Sequence, residues 1–167
     1  MLRTTLRLPV KILPQMDETT CGPTCLHAIY NYWGKSEALE NVIARTRKLE
    51  SGSGTLAVFL ACDALRNGFQ ATIYTYNLMV FDPTWFVAGV DIAERLRQQR
   101  EVKMDPKLRH ATEGYLEFLS LGGRLRLTGP LPPAHSRPLA PRPAHPDWIE
   151  LNLPISRRAG VWAARRA

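Results

Sequence analysis

The chain has 167 residues, 45% of them hydrophobic, a mean hydropathy of -0.20 and a formal net charge of +7. That length suits one domain with a sizeable core. No apolar run reaches the roughly 18–20 residues that cross a bilayer, and the stretch Met1–Arg7 lacks both the apolar length and the small-residue cleavage site of a secretory signal, so a cytoplasmic location without a membrane partner is expected. Residues 127–167 hold six Arg against Asp147 and Glu150, whereas the rest of the chain is nearly balanced. No basic cluster interleaved with aromatics is present, so nucleic acid is not an expected partner.

Taken in chain order, Leu6-Arg7-Leu8-Pro9-Val10-Lys11-Ile12-Leu13 alternates as an edge strand would. A helix is predicted from Cys21, with Pro23 in its first turn, Leu26, Ile29, Tyr30 and Trp33 at helical spacing, and Gly34 as its C-terminal cap. A second helix is expected from Ser36 as N-cap, with Leu39, Val42 and Ile43 inward. Ser51-Gly52-Ser53-Gly54 reads as a loop, and Thr55 as the cap of a third helix running to Gly68. The β-branched and aromatic run Ala71–Tyr76 predicts a strand, and Asp82-Pro83 a turn. Helices are predicted near 91–101 and 106–121, the second with Leu108, Ala111, Tyr115 and Leu119 on one face and Gly122-Gly123 at its end. There is no internal repeat.

From residue 127 the composition changes abruptly. Residues 127–167 contain eight of the 13 prolines and no Lys, Phe or Tyr. This density of Pro excludes helix interiors and central strands, and predicts an irregular or polyproline-like segment. The expected organisation is therefore a domain over 1–126 and an irregular tail over 127–167.

Three cysteines, Cys21, Cys25 and Cys62, fit neither a disulfide framework nor a zinc site, so neither a metal nor any other cofactor is expected. Cys21 and Cys25, four apart, share a helix face. Cys25 and Cys62 read as small core-facing residues, whereas Cys21 stands where chemistry is feasible. A thiol at a helix start meets the positive end of the helix dipole and unpaired backbone N–H groups, which favour thiolate. Those N–H groups can also donate to the oxyanion formed when a thiolate attacks a carbonyl. Gln15, from the preceding loop, can supply a second donor, and Gly22 leaves room for substrate beside the sulfur. Asp17 is a further candidate lining the substrate groove, although a plain turn residue is the simpler role.

The run from Gln15 to Gly34 resembles the bacteriocin-processing peptidases, which cut after double-glycine leaders and form family thirty-nine of the cysteine peptidases. Gln15, Cys21, Gly22, Tyr32-Trp33 and Gly34 match the family pattern at its spacing. The resemblance extends over about residues 7–126, including Gly54–Val58 and Ala71–Leu78. It implies an α+β, papain-like fold, with Cys21 as nucleophile, Gln15 in the oxyanion hole, and a peptide or protein as substrate. A non-catalytic peptide-binding module of the same fold is the alternative.

The same resemblance implies a His base opening a strand, with an Asp or Asn to orient it. No histidine here fits. His27 lies inside the first helix, His110 on a charged helical stretch, and His135 and His145 in the proline-rich tail. Asp82-Pro83 matches the acid's dipeptide but lies on the wrong side of any histidine. The sheet lobe that carries the base in the family is expected to be largely missing, and the chain to be a truncated, inactive copy. Back-translated from His145 and read one base on, the codons allow ILTGLSSTYLYRAAREYG, which looks like the segment this family branch carries ahead of its catalytic His. A frameshift near Leu127 is thus an expectation that the coding DNA tests directly.

Overall fold

The computed structural model describes residues 9–49 and 54–127 in full and residues 147–152 as backbone; residues 1–8, 50–53, 128–146 and 153–167 lie outside the described set. It is a mixed α and β structure, with two compact units that part between Thr55 and Leu56.

The first unit opens with an irregular, exposed segment. Residues 9–15 form no strand, and Ile12 is 62% exposed. This corrects the edge strand expected there, as far as its residues are described. Pro9 and Pro14 lack the N–H groups that a ladder needs, and Ile12 and Leu13 lie open rather than on a covered face. Helix α1 spans Cys21–Tyr32, as its periodicity predicts, and buries Pro23, Thr24, Leu26, His27, Ala28 and Tyr30. It ends where Gly34 takes a φ of +80° and Lys35 N–H donates to the Tyr30 carbonyl. Only glycine adopts that backbone without steric cost.

Helix α2 spans Leu39–Arg45, with Leu39 and Val42 buried. It starts after Ala38, so the Ser36 cap expected from sequence is incorrect. Residues 35–38 are held irregular from both sides. Lys35 closes the end of α1, and the Glu37 carbonyl lies 2.9 Å from His27 Nε2. The Glu37 carboxylate pairs with the Arg45 guanidinium, and that contact, ahead of all others, holds the carboxyl below its ordinary value.

The second unit is built round a sheet. Helix α3 spans Ala57–Arg66 and strand β1 Gln70–Thr75. Thr55 does not cap α3: its hydroxyl donates to the Arg47 carbonyl at 2.6 Å, and Leu56 takes the cap position. A single 3-10 turn follows over Pro83–Phe86, then helix α4 over Ile92–Val102 and helix α5 over Pro106–Ser120. Asp91 and Asp105 cap the two helices, accepting from Ala93 N–H and Leu108 N–H at 2.8 Å each. These side chains satisfy donors that a helix start leaves unpaired.

Strand β2, Arg124–Leu127, pairs parallel with β1, and strand β3, Asp147–Asn152, pairs antiparallel on its other side, with Ile73 opposite Leu125 and Ile149. The segment over 147–152 corrects the wholly irregular tail expected from proline density. Between Pro146 and Pro154 it carries Trp148, Ile149 and Leu151, which suit a strand. As the middle strand, β1 buries Ala71, Thr72, Ile73 and Thr75.

The core of this unit gathers Phe59, Cys62, Ile73, Phe81, Leu96, Tyr115 and Phe118. Phe81 and Tyr115 meet edge to face at 4.7 Å between ring centres. Burying each large ring stabilises the unit by about 1.5–3 kcal/mol relative to exposure. Gly114 lets α3 and α5 approach closely. A Cβ there would stand 2.6 Å from Phe59 Cε1 and 2.9 Å from Val58 Cγ1, and the Cys62 thiol donates to the Gly114 carbonyl at 3.7 Å.

Candidate active site

The segment leading into α1 is folded by one hydroxyl. Thr20 is 1% exposed, and its Oγ1 accepts from Met16 N–H at 3.2 Å and Asp17 N–H at 3.1 Å while donating to the Asp17 carbonyl at 3.0 Å. A buried hydroxyl with one proton and two lone pairs is thereby fully used. The loop turns through Asp17, whose Oδ1 accepts from Thr19 N–H and Thr19 Oγ1–H, each at 2.7 Å. The Thr19 hydroxyl first, and then its amide, hold the Asp17 carboxyl below its ordinary value.

Thr20 occupies the N-cap position, where a threonine ordinarily accepts from the helix's own first-turn amides. Here its hydroxyl faces back into the loop, and α1 has no side-chain cap. Pro23 contributes no N–H, and Thr24 N–H donates to the Thr20 carbonyl at 3.0 Å. Cys21 and Gly22 therefore present the backbone donors of this turn. The Cys21 side chain is exposed at the first helical residue, and Gly22 is half-buried beside it.

The sequence candidates are thus distributed as follows. Cys21 and Gly22 stand at the helix start as expected. Gln15 is exposed in the irregular segment six residues earlier. Asp17 forms the turn, where Thr19 engages one oxygen of its carboxylate. Cys62 is buried, as expected, but Cys25 is exposed, contrary to the core position assigned to it. The buried residues of α1 begin at Pro23 and Thr24 and continue through 26–28, so Cys25 falls on the open stripe that starts at Cys21. Sequence reasoning missed Thr20. Its signal is a threonine at a cap position preceded by Asp-x-Thr, a sequence in which the aspartate rather than the cap binds forward.

The histidines offer this site little. His27 is 5% exposed; its Nε2 lies 2.9 Å from the Glu37 carbonyl and 2.8 Å from the Asn31 side-chain nitrogen, which stands 3.4 Å from Nδ1. The Glu37 contact ties α1 to the segment before α2. In the second unit, His110 stands edge-on to Phe59 at 5.0 Å. His135 and His145 lie outside the described residues. Asp82 caps the turn at Pro83, accepting from Thr84 N–H at 2.8 Å and Thr84 Oγ1–H at 2.7 Å. It does not orient a base. The groove beside that turn, about 580 Å³ and lined by Phe81, Trp85 and Arg95 among others, carries no Cys, Ser, Thr or His.

Among the described residues, no group of three or more His, Cys, Asp or Glu is placed to hold a metal ion, and no helix is long and apolar enough to cross a membrane. No protein-family model, curated protein or solved structure matches the chain.

Proposed function

We propose that the segment from Gln15 through α1 is the nucleophile end of a papain-like cysteine peptidase fold, directed at peptide bonds through Cys21. One observation supports this above all: an exposed cysteine is the first residue of a helix whose first turn has no side-chain cap. In this reading the Cys21 thiolate adds to a peptide carbonyl, and the oxyanion takes hydrogen bonds from the Cys21 N–H and the Gln15 side-chain amide. Collapse of that intermediate breaks the C–N bond and requires a proton for the leaving amine. His27, the sole histidine of residues 1–55, is buried against the Glu37 carbonyl and the Asn31 side chain, a poor position from which to deliver it. Attack at Cys21 is therefore expected to outrun turnover, which is expected to be low or absent. The resemblance points to peptides with small residues such as Gly before the cut.

A peptidyl epoxide or vinyl sulfone tests the reading on the full chain. Cys21 is expected to be alkylated well ahead of Cys25, and Cys21→Ala to remove that label. Alkylation of Cys21 no faster than of Cys25 would overturn the proposal. The burial of His27 against Glu37 and Asn31 favours a second reading, a peptide-binding module of the same fold. Peptide affinity that survives Cys21→Ala, with no hydrolysis by the wild type, distinguishes it.

A further inference from the structure

The exposed pair on α1 has geometry of its own. Cys25 follows Cys21 by four residues on one continuous helix, and both thiols are free and exposed. Side chains on a helix lean toward its N-terminus, so Cys25 leans over the turn that begins with Cys21. Residues so spaced hold their Cβ atoms about 5–6 Å apart. A disulfide needs Cβ atoms about 3.5–4.5 Å apart, so the intact helix holds the sulfurs too far apart for a direct S–S bond. One inserted metal atom, with metal–thiolate bonds of about 2.3 Å each, spans the wider gap.

The donor set selects the ion. Zinc sites of the structural kind take four ligands, and the described residues offer no three-donor group that could hold a metal. Two thiolates alone complete the shell of a soft, two-coordinate cation, and thiolate ligands favour Cu(I) among biological metals. We propose that Cys21 and Cys25 form a two-coordinate thiolate site for a soft monovalent cation of the Cu(I) class. Binding is an exchange without redox change: the ion forms two S–Cu bonds, both thiols release their protons to solvent, and the bridged pair carries one negative charge. Partial burial, and secondarily the charge of Cys21, hold the Cys25 thiol above its ordinary value. Both sulfurs bind as thiolates, so affinity rises with pH. The proposal stands on the two thiols and not on the peptidase reading. Where both hold, the bound ion occupies the nucleophile and silences it.

Anaerobic titration of the full chain with Cu(I) against a competing chelator tests the site. The expected result is one ion per chain with no change in elution on size-exclusion chromatography, and an affinity lowered about 100-fold or more in either Cys21→Ser or Cys25→Ser. Affinity within threefold of wild type in either variant, or half an ion per chain in a dimer, would overturn it. A second measurement separates the two proposals. Cu(I) is expected to protect Cys21 from iodoacetamide in the wild type and to lose that protection in Cys25→Ser; equal protection in both would refute the bridged pair. This readout needs no peptidase chemistry, so failure of the peptidyl epoxide to select Cys21 leaves it standing.

Discussion

The segment leading into α1 and the unit containing the sheet are held by different forces. Around β1 the stabilising elements are rings and branched chains, with Phe118, Ile73, Phe81 and Leu96 almost wholly excluded from water. Ahead of α1 a hydroxyl and a carboxylate shape the chain, through Thr20 and Asp17. Apolar packing tolerates no lost volume but is indifferent to pH. A polar hinge tolerates shape changes, provided that each donor keeps its acceptor. The chemistry-bearing sulfurs stand at the end of the polar construction, where backbone donors are left for a ligand.

The comparison breaks most visibly at Phe118. Its replacement by Ala is expected to cost about 3–5 kcal/mol, read as a fall in the denaturant midpoint followed by circular dichroism. Gly114→Ala fails the opposite way, by overfilling, because its Cβ would stand within 3 Å of both Phe59 and Val58. A loss of about 1–3 kcal/mol in the same assay is expected. Thr20→Ala leaves the Met16 and Asp17 amides without their acceptor and is expected to cost about 1–3 kcal/mol, whereas Thr20→Ser restores most of it. Amide exchange at those two positions reads the difference between hydroxyl loss and methyl loss.

Two pH experiments sharpen the contrast further. Alkylation of Cys25 by iodoacetamide is expected to have its midpoint above that of an ordinary thiol, and Cys21→Ser to move it down by removing the neighbouring charge. For Asp17 the folded carboxyl is held low, so its contribution is present above the unfolded pKa and is lost as pH falls through the folded value, in the region below about 4. Loss of amide protection at Thr19 on acidification, absent in Asp17→Asn, is the smallest effect expected, because the group is exposed.

Much of this architecture was legible in the residues. The start of α1 at Cys21, its end at Gly34, strand β1 and helices α4 and α5 all follow from local periodicity and caps. What escaped depends on partners remote in sequence or on which of two local bonds wins. Ser36 and Thr55 have the chemistry of caps, but each helix starts later, and the Thr55 hydroxyl finds a carbonyl eight residues back. Cys25 was placed inward because cysteine is so often buried, while its position four residues from Cys21 already put it on the open stripe. In the tail, averaging proline over the whole stretch hid a proline-free window that pairs with β1. At the site itself, the sulfur's place at the helix start was readable, but the inward commitment of Thr20 was not.

The two edges of β1 differ in what they demand of a growing chain. Its antiparallel neighbour is made long after β1 itself, since Ile73 faces Ile149. During synthesis β1 waits with that flank open, and pairing it closes the longer of the two loops. Without residues 147–152 in place, that edge of β1 offers unpaired backbone groups on which any extended peptide nearby could pair.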